Sequence, residues 1–521
     1  MIDRLEKWGD IGVEATVPAL LAAGVAKYGS REFIVTRDER LTFFDAEYRS
    51  RALAKRFIAA GVGKGTRIGI LLPSGPDFAV AFLASARVGA VATLLSTTYR
   101  PAEIRRALRL SDTELLLAPR HLFGRDYGQD LEEAIDGLED AGPELYRLPA
   151  MPYLRSIWLS GPSEFRWAGV IEDDNEPPLD VSDELLEAIE TEVRPADPLL
   201  GIWTSGSSAD PKGVIHSHGV AVRKVFPALG LGQHTSIPGE LRTFLAMPFF
   251  WVAGPQSILG CLYTGNTIVT QPRFEMSEVL ELVERERCTA ISGWATTLEQ
   301  LRGHPDFEKR DLSSLPERPR PRRSVGVSSK GDPTNLGMTE TFGPHAEPAL
   351  FDYKIIDPET GDSLPDGEVG EFCVRGLGLM LGFYKKEREE TFDADGYYHT
   401  GDRGYIEDGR IYFLGRYSET IKAGGANVSP LEVEQTMTSL PGVRLAFVFG
   451  LPHPTHQEEV TAVVVAEDGH DLDPAELRAL MHKMLSSSNI PTRIKIVGLA
   501  EVPFLATGKP DKRSMREALQ K

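Results

Sequence analysis

The sequence predicts an α/β protein that ends in two smaller regions, one antiparallel and one α+β. In the first third of the 521-residue chain, and again after Leu199, short apolar runs alternate with segments of helical periodicity, as in parallel sheets with crossover helices. After Phe342, short strands and Asp-Gly turns indicate an antiparallel sheet or small barrel. After Tyr417, capped helices and strands indicate a compact α+β domain.

The N-terminal elements follow from apolar spacing. Helices are predicted at about 45–60 and 77–88, and the acidic, Pro-containing stretch 161–192 is predicted to be a surface loop. The predicted strands are 68–72, 91–95, 199–203, the region of Ile215, 243–247, 267–270 and 289–292.

The C-terminal elements carry local turn and capping signals. The Asp-Gly pairs at 395–396 and 408–409 predict hairpin turns. Ser429 and Asp473 each precede a Pro, with Glu at the third helical position, which predicts two capped helices. Strands are predicted between them at 446–449 and 460–466.

Composition limits the partners. The net charge is −19, from 76 acidic and 57 basic side chains, and such a surface repels nucleic acid and acidic lipid. Three widely spaced cysteines fit a reducing compartment and neither a disulfide framework nor a Cys-rich metal site. The N-terminus shows no signal pattern, and no apolar run approaches the ~18 residues of a membrane span. We expect a cytoplasmic protein.

A hydroxyl- and Gly-rich loop follows the strand at 199–203. Its backbone N–H and hydroxyl groups could surround a polyphosphate, with one lysine supplying charge; an ordinary surface loop fits the same residues. The residues predicted to bind nucleotide here are Thr204, Ser205, Gly206, Ser207, Ser208 and Lys212.

Two further motifs carry acidic side chains. Thr339 and Glu340 could hold a phosphate oxygen and Mg²⁺ together, and a solvated turn is the alternative. Asp402, in Tyr-His-Thr-Gly-Asp, could accept hydrogen bonds from ribose hydroxyls, or it could only cap its turn. Arg416 follows in a Gly-Arg pair.

The last two motifs are short. Gly424 and Gly425 allow close backbone approach to a slender ligand, or form a plain turn. Lys509 lies in Ala-Thr-Gly-Lys near the C-terminus, where a lysine is otherwise simply solvated.

In this order and spacing, the motifs resemble the ANL superfamily of acyl-CoA synthetases, peptide-synthetase adenylation domains and beetle luciferases. The resemblance is most specific at Pro-Lys-Gly (211–213), Met-Thr-Glu-Thr (338–341), His-Thr-Gly-Asp (399–402) and Gly-Arg (415–416). It implies the ANL adenylate-forming fold. An N-terminal AMP-binding domain (1–416) would comprise two αβαβα-type subdomains (about 1–193 and 194–345) and a small β-barrel (346–416), followed by a mobile α+β lid domain (417–521).

The resemblance also implies the chemistry. ATP and a carboxylic acid would give acyl-adenylate and pyrophosphate, and a thiol would then displace AMP after the lid rotates. Lys509 would neutralise charge at the α-phosphate, and Thr339 and Glu340 would act with Mg²⁺, Glu340 as its ligand. Asp402 and Arg416 would bind ribose.

The other implied roles concern the lid and the acyl group. Gly424 and Gly425 would line the CoA passage, and Tyr417 with Ser418 would form the hinge, where relatives often have Asp or Lys at the second position. The predicted acyl pocket consists of Phe250, Trp251, Gly254 and Trp294, with Trp251 where relatives often have His. Ordinary core positions are the alternative for these side chains.

The chain departs from the family pattern around the nucleotide. The phosphate loop lacks one Gly and carries Asp210, whose charge opposes phosphate. Leu336 replaces the usual aromatic residue at adenine, and most of the preceding strand and helix is missing. The shortened segment would either open the pocket to a bulky acid or weaken the use of ATP.

These observations predict an acyl-CoA ligase of lipid or natural-product metabolism that activates a bulky hydrophobic acid and transfers it to CoA. The expected cofactor is Mg²⁺, with ATP or acyl-AMP and CoA as substrates. Neither nucleic acid nor a membrane span is expected, and a homodimer is allowed. Three alternatives stay open: thioesterification of supplied acyl-adenylate only, delivery to a carrier protein, and a non-catalytic relic of the fold.

Overall fold

The computed structural model describes residues 12–142, 146–161, 163–171, 180–204, 212–223, 241–293, 300–315, 351–407, 410–423, 426–454, 457–485, 487–505 and 510–520. They form two compact units. The first contains the described residues up to 293 together with 304–315 and 377–391, and the second contains 300–303, 351–376 and 392–520. Within these described ranges, no helix has the length and apolar character needed to span a membrane.

The strands are numbered along the chain: β1 (Glu32–Val35), β2 (Arg40–Thr42), β3 (Arg67–Ile70), β4 (Val91–Leu94), β5 (Leu115–Pro119), β6 (His121–Leu122), β7 (Arg125–Asp126), β8 (Ser156–Ser160), β9 (Ala168–Val170), β10 (Pro198–Thr204), β11 (Lys212–Ser217), β12 (Arg242–Leu245), β13 (Thr267–Val269), β14 (Ala290–Ser292), β15 (Asp352–Ile356), β16 (Gly370–Arg375), β17 (Gly382–Phe383), β18 (Tyr398–Glu407), β19 (Arg410–Arg416), β20 (Ile421–Ala423), β21 (Ala426–Val428), β22 (Val443–His453), β23 (Gln457–Ala466) and β24 (Arg493–Val497).

The helices are numbered in the same way: α1 (Val17–Tyr28), α2 (Phe43–Ala59), α3 (Pro76–Arg87), α4 (Pro101–Ser111), α5 (Tyr127–Ala134), α6 (Asp183–Thr191), α7 (Ala253–Thr264), α8 (Met276–Arg285), α9 (Pro430–Ser439), α10 (Pro474–Met481) and α11 (Lys512–Gln520).

Two sheets organise the first unit. One has the order β14-β12-β13-β1-β2, and its strands are parallel except β2. The other has the order β17-β11-β10-β4-β3-β5-β8-β9, parallel from β10 to β9 and antiparallel where β11 and β17 join. Strands such as β4 and β5 are buried along their whole length, as expected when helices cover both sheet faces. The predicted α/β fold is confirmed.

Both sheets combine strands from before and after residue 193. The chain therefore crosses between the sheets, while the predicted subdomain bounds at 193 and 345 stay predictions. The predicted bound at 416/417 lies inside the second unit, between β19 and β20, and also stays a prediction.

The predicted N-terminal helices are present as α2 and α3, and the start of α2 is set by a local cap. Helix α2 begins after Thr42, whose hydroxyl accepts a hydrogen bond from the Asp45 N–H at 3.0 Å, while the Asp45 carboxylate accepts one from the Thr42 N–H at 2.9 Å. This reciprocal capping box satisfies two N–H groups that a helix start would otherwise leave unpaired.

One prediction about this unit was wrong. The stretch 161–192, expected to be a surface loop, contains β9 and α6. The Ser182 hydroxyl caps α6 by accepting from the Leu185 N–H at 3.2 Å, two acidic residues occupy its first turn, and Leu186 is fully buried. The high acidic content concealed a favourable helix start.

The second unit contains two sheets. An antiparallel sheet has the order β15-β16-β18-β19, and the other runs β21-β20-β23-β22 with β24 parallel to β23. Helices α9 and α10 have the predicted N-caps, Ser429 and Asp473. The antiparallel sheet and the α+β arrangement agree with the sequence; the 408–409 turn lies outside the described residues, although β18 and β19 flank it as an antiparallel pair.

Candidate functional site

Many predicted site residues lie outside the described part of the chain, so their roles stay predictions. This holds for the catalytic residues, most of the phosphate loop, the CoA passage and one pocket residue: Thr339, Glu340, Lys509, Ser205, Gly206, Ser207, Ser208, Gly424, Gly425 and Trp294. Asp210 and Leu336, which depart from the family pattern, also lie outside it. The structure describes the segments that flank several of these residues.

The phosphate loop connects two antiparallel strands. Thr204, the last residue of β10, pairs in register with Lys212, the first residue of β11. The strand pairing therefore brings the two ends of the predicted loop to opposite positions on neighbouring strands. Lys212 is exposed, and its Nζ lies 5.3 Å from the centre of the Phe383 ring.

Strand β17, which sequence reasoning missed, supports this hairpin from its outer side. The Tyr384 N–H donates to the Gly213 carbonyl at 2.7 Å, and the Leu381 N–H donates to the Ile215 carbonyl at 2.8 Å. These bonds cover the edge of β11. The local sequence around Gly382 and Phe383 does not indicate a strand partner about 170 residues away in sequence.

The predicted ribose-binding residues face each other on adjacent strands. Asp402 of β18 is in register with Arg416 of β19, and Arg416 Nε lies 3.0 Å from Asp402 Oδ1. Burial raises the pKa of Asp402 above its usual range, and Arg416 opposes that rise. Asp402 Oδ1 is buried and meets Arg416 as an ion pair without an aligned hydrogen bond. A buried carboxylate oxygen without an aligned hydrogen bond can accept one from a hydroxyl group.

Asp402 was expected to lie in a tight turn. It lies instead in an irregularity of strand β18. It follows Gly401, whose φ of +71° is in the left-handed region that favours glycine. Residues 400–402 lie between the pairs Glu371–Arg403 and Cys373–His399, so three residues of β18 oppose one of β16. Such bulges redirect side chains away from the regular alternation of a strand.

Tyr417 and Ser418, the predicted hinge, form a short 3-10 turn with Glu419 between β19 and β20. Beside this turn, Ser429 Oγ donates a hydrogen bond to the Leu414 carbonyl of β19. The same hydroxyl accepts from the Glu432 N–H at 3.3 Å and so caps α9. The helix start is thereby tied to the strand that carries Arg416. Whether the turn acts as a hinge stays a prediction.

The three described pocket residues lie where β12 leads into α7. Phe250 packs against the main core of the first unit, and Trp251 is partly buried. A Cβ at Gly254 would stand 2.3 Å from the Phe249 carbonyl oxygen, so only glycine fits this backbone approach. The three residues lie within five positions of one another in the sequence, and their contact with an acyl group stays a prediction.

A separate cavity lies in the first unit, near the base of the phosphate-loop hairpin. It has a volume of about 210 Å³ and a largely apolar lining that includes Trp203, Ile215 and Tyr384. Of the predicted pocket residues, the three that the structure describes (Phe250, Trp251 and Gly254) do not line this cavity, so it does not support the pocket assignment.

No group of three or more His, Cys, Asp or Glu side chains within the described ranges is arranged to hold a metal ion. The predicted Mg²⁺ ligand, Glu340, lies outside those ranges. The magnesium role stays a prediction.

The comparisons with known proteins cover almost the whole chain. The family described as AMP-binding enzyme matches residues 21–342, and the AMP-binding enzyme C-terminal domain matches residues 432–509. A putative acyl-CoA synthetase of Bacillus subtilis, YngI, is 26% identical over 545 residues, covering 97% of each chain.

A second relative and a solved structure extend this likeness. A Rhodococcus jostii CoA ligase, named for a methyl-dioxo-octahydro-indenyl propanoyl group, is 28% identical over 523 residues and covers 96% of this chain and 98% of its own. The anthranilate CoA ligase AuaEII, solved with anthranoyl-AMP, superposes with a TM-score of 0.73 at 20% identity, covering 98% of this chain and 99% of its own. At that identity the superposition shows a shared fold.

Proposed function

The chain belongs to the AMP-binding enzyme family, and we propose that it activates a bulky hydrophobic carboxylic acid as acyl-AMP and transfers the acyl group to CoA. The family matches and the ligase relatives make it an AMP-forming acid–thiol ligase of the ANL superfamily. The proposal adds the kind of acid, the acceptor and the residues that act.

The observation that carries the nucleotide part is the pairing of Asp402 with Arg416. A buried carboxylate oxygen beside a guanidinium, without an aligned hydrogen bond of its own, suits a ribose hydroxyl as donor. The hydrogen bond would lower the cost of keeping Asp402 ionised, because burial alone raises its pKa. Arg416, with a side chain 58% exposed, would help hold the nucleotide.

The first proposed step is in-line displacement at the α-phosphorus of ATP. A carboxylate oxygen of the acid bonds to phosphorus while the bond to the β-phosphate bridging oxygen breaks, and pyrophosphate leaves with that electron pair. Lys509 would neutralise charge developing between these groups. Thr204 and Lys212, at the two ends of the phosphate loop, would help hold the leaving phosphates together with Ser205, Gly206, Ser207 and Ser208. Mg²⁺ would be bound by Glu340 next to Thr339 and would lower the charge on the phosphates.

The second proposed step forms the thioester. The deprotonated sulfur of CoA attacks the acyl carbon, and the bond from that carbon to the AMP oxygen breaks, releasing AMP. Gly424 and Gly425 would line the path of the CoA arm, and Tyr417 with Ser418 would allow the lid to rotate between the two steps. The Ser429–Leu414 hydrogen bond next to that turn is one contact that such a rotation would have to break.

The acid is proposed to be bulky and hydrophobic. Trp251 and Phe250 lie beside Gly254, and Trp294 was predicted to join them. The shortened segment before Leu336 would leave more space for an acyl group. The Rhodococcus relative is named for a bicyclic propanoyl group, which fits an acid of this kind.

A second candidate function is thioesterification of a supplied acyl-adenylate without use of ATP. The observation that favours it is Asp210 in the phosphate loop, where a carboxylate opposes the approach of phosphate. The Asp402–Arg416 pair would serve either candidate function, because each function requires an adenylate to be bound.

One experiment separates the two functions. Purified protein with Mg²⁺ and CoA receives either ATP with a panel of aromatic, polycyclic and long-chain acids, or the matching synthetic acyl-adenylates. Acyl-CoA and pyrophosphate are measured. Full function gives acyl-CoA from both supplies, and the second candidate gives it from acyl-adenylate alone.

The Lys509→Ala variant is the control for this experiment. It should lose pyrophosphate release while still converting acyl-adenylate to acyl-CoA. No product from either supply, with folded protein and the whole panel tested, would contradict both functions.

The remaining expectations concern the cell and assembly. We propose a cytoplasmic enzyme, since the three cysteines are all free and buried and fit a reducing compartment. The homodimer stays a proposal that sedimentation at several protein concentrations would test.

A further inference from the structure

The bulge that carries Asp402 frees backbone groups from the strand ladder. Where three residues of β18 oppose Phe372, the N–H groups of residues 400–402 cannot all reach β16 carbonyls. Buried N–H groups require other acceptors, or the bulge would be costly.

Side chains supply those acceptors. Glu371 Oε1 accepts a hydrogen bond from the Gly401 N–H at 2.8 Å. Thr400 Oγ1 accepts from the Asp402 N–H at 3.0 Å and donates to the Phe372 carbonyl at 2.9 Å. The conformation of Gly401, and with it the direction of the Asp402 side chain, therefore depends on Glu371 and Thr400.

Glu371 is itself held in place. Its side chain is 14% exposed, and its Oε2 lies 3.7 Å from Nδ1 of His399. His399 Nε2 lies 3.4 Å from Asp393 Oδ2, which Lys354 Nζ approaches to 3.2 Å. A chain of alternating carboxylates and basic groups thus leads from Lys354 to the bulge. Besides burial, the negative charge of Glu371 raises the pKa of Asp402 and so disfavours the ionised carboxylate. Glu371 therefore does not help Asp402 through its charge.

We propose that Glu371 is a positioning residue for nucleotide binding, acting through its hydrogen bond to Gly401 to aim the Asp402 carboxylate at ribose. This inference rests on the proposed ribose contact of Asp402. Because the benefit is an accepted hydrogen bond, a neutral acceptor at position 371 can replace the carboxylate.

The test compares AMP binding by calorimetry, together with KM for ATP and kcat, in Glu371→Ala and Glu371→Gln. The amide oxygen of glutamine keeps an acceptor for the Gly401 N–H, whereas alanine removes it. We expect Glu371→Ala to raise the dissociation constant for AMP and KM for ATP about tenfold or more, with kcat at saturating ATP within about threefold. Glu371→Gln should restore both constants to within about threefold of the unchanged protein.

Two further variants make the outcome specific. Glu368→Ala removes an exposed carboxylate three positions earlier and should leave AMP binding unchanged. Thr400→Val removes the acceptor for the Asp402 N–H and should weaken AMP binding as Glu371→Ala does. This variant keeps the test available if Glu371→Ala fails to fold.

The variant Asp402→Ala, which removes the acceptor for the ribose hydroxyls, separates this inference from the proposed function. If it binds AMP as well as the unchanged protein, the ribose contact itself is wrong, and the positioning role falls with it. If Asp402→Ala weakens AMP binding but folded Glu371→Ala and Thr400→Val bind AMP normally, the ribose contact stands and the positioning role is refuted. Equal loss in Glu371→Gln and Glu371→Ala would also refute it, because the carboxylate charge would then be what matters.

Discussion

Helix α11 is anchored by an ion pair whose loss has a predictable cost. Lys512, its first residue, places Nζ 2.6 Å from Glu434 Oε1 of α9. The same oxygen accepts from the Val448 N–H of β22 at 2.7 Å. The side chain of Glu434 is 15% exposed and that of Lys512 is 41% exposed. Burial raises the pKa of Glu434, and Lys512 opposes the rise.

The change Lys512→Met keeps most of the side-chain length and leaves Glu434 without its cation. Breaking a fully buried pair costs about 3–5 kcal/mol, but the exposed end of this pair reduces that figure. Protonation of Glu434 sets an upper limit on this loss of stability, because neutralising an ordinary glutamate at pH 7 costs roughly 3.7 kcal/mol. We therefore expect a loss of about 2–3 kcal/mol at pH 7. The loss should shrink toward pH 5, where protonation removes the unpaired charge.

Hydrogen exchange followed by mass spectrometry measures this locally. Peptides covering α11 and β22 should lose protection by roughly 30- to 150-fold in Lys512→Met, which corresponds to 2–3 kcal/mol. Lys512→Arg keeps a cation and should retain most of the protection. A change in Lys512→Met below about threefold at pH 7, or a larger change at pH 5 than at pH 7, would refute the reasoning.

Two further predictions concern the first unit. Burial lowers the pKa of His218 to about 4 from 6.5, so its contribution to stability is complete above pH 6.5 and is lost as the pH falls toward 4. Between pH 7 and 5, urea unfolding should show a loss of about 2 kcal/mol that is absent in His218→Gln; equal losses in both proteins would contradict this. Gly254→Ala forces a Cβ against the Phe249 carbonyl and should cost about 1–3 kcal/mol, seen as a lower Tm. Gly63→Ala, whose Cβ meets nothing within 4 Å, is its control, and equal Tm values for the two variants would count against the clash.

The sequence predicted much of the fold because many of its signals are local. Ser429 and Asp473 were predicted to start helices through atoms within three residues, and the structure shows both caps. The same kind of signal marked α6 at Ser182, but the surrounding acidic composition outweighed it in the prediction. Local chemistry is readable from sequence when composition does not mask it.

The candidate site could be predicted only in part. The Thr-Gly-Asp motif pointed to Asp402, and the Gly-Arg pair pointed to Arg416. Their 3.0 Å approach depends on the register of β18 with β19. Glu371 was missed because its partner, Gly401, is 30 positions away, and no periodic pattern connects a carboxylate on one strand to a bulge on the next.

By itself the sequence determined the alternation of helices and strands, the helix caps, the order of the adenylate motifs and, through that order, the family. These depend on side chains close together in the chain or on motif identity. Only the tertiary structure decided that β17 joins the phosphate-loop hairpin, that both large sheets draw strands from before and after residue 193, and that a bulge held by Glu371 directs Asp402. Those features arise from strand register and long-range pairing, because residues far apart in sequence meet only when the whole sheet has formed.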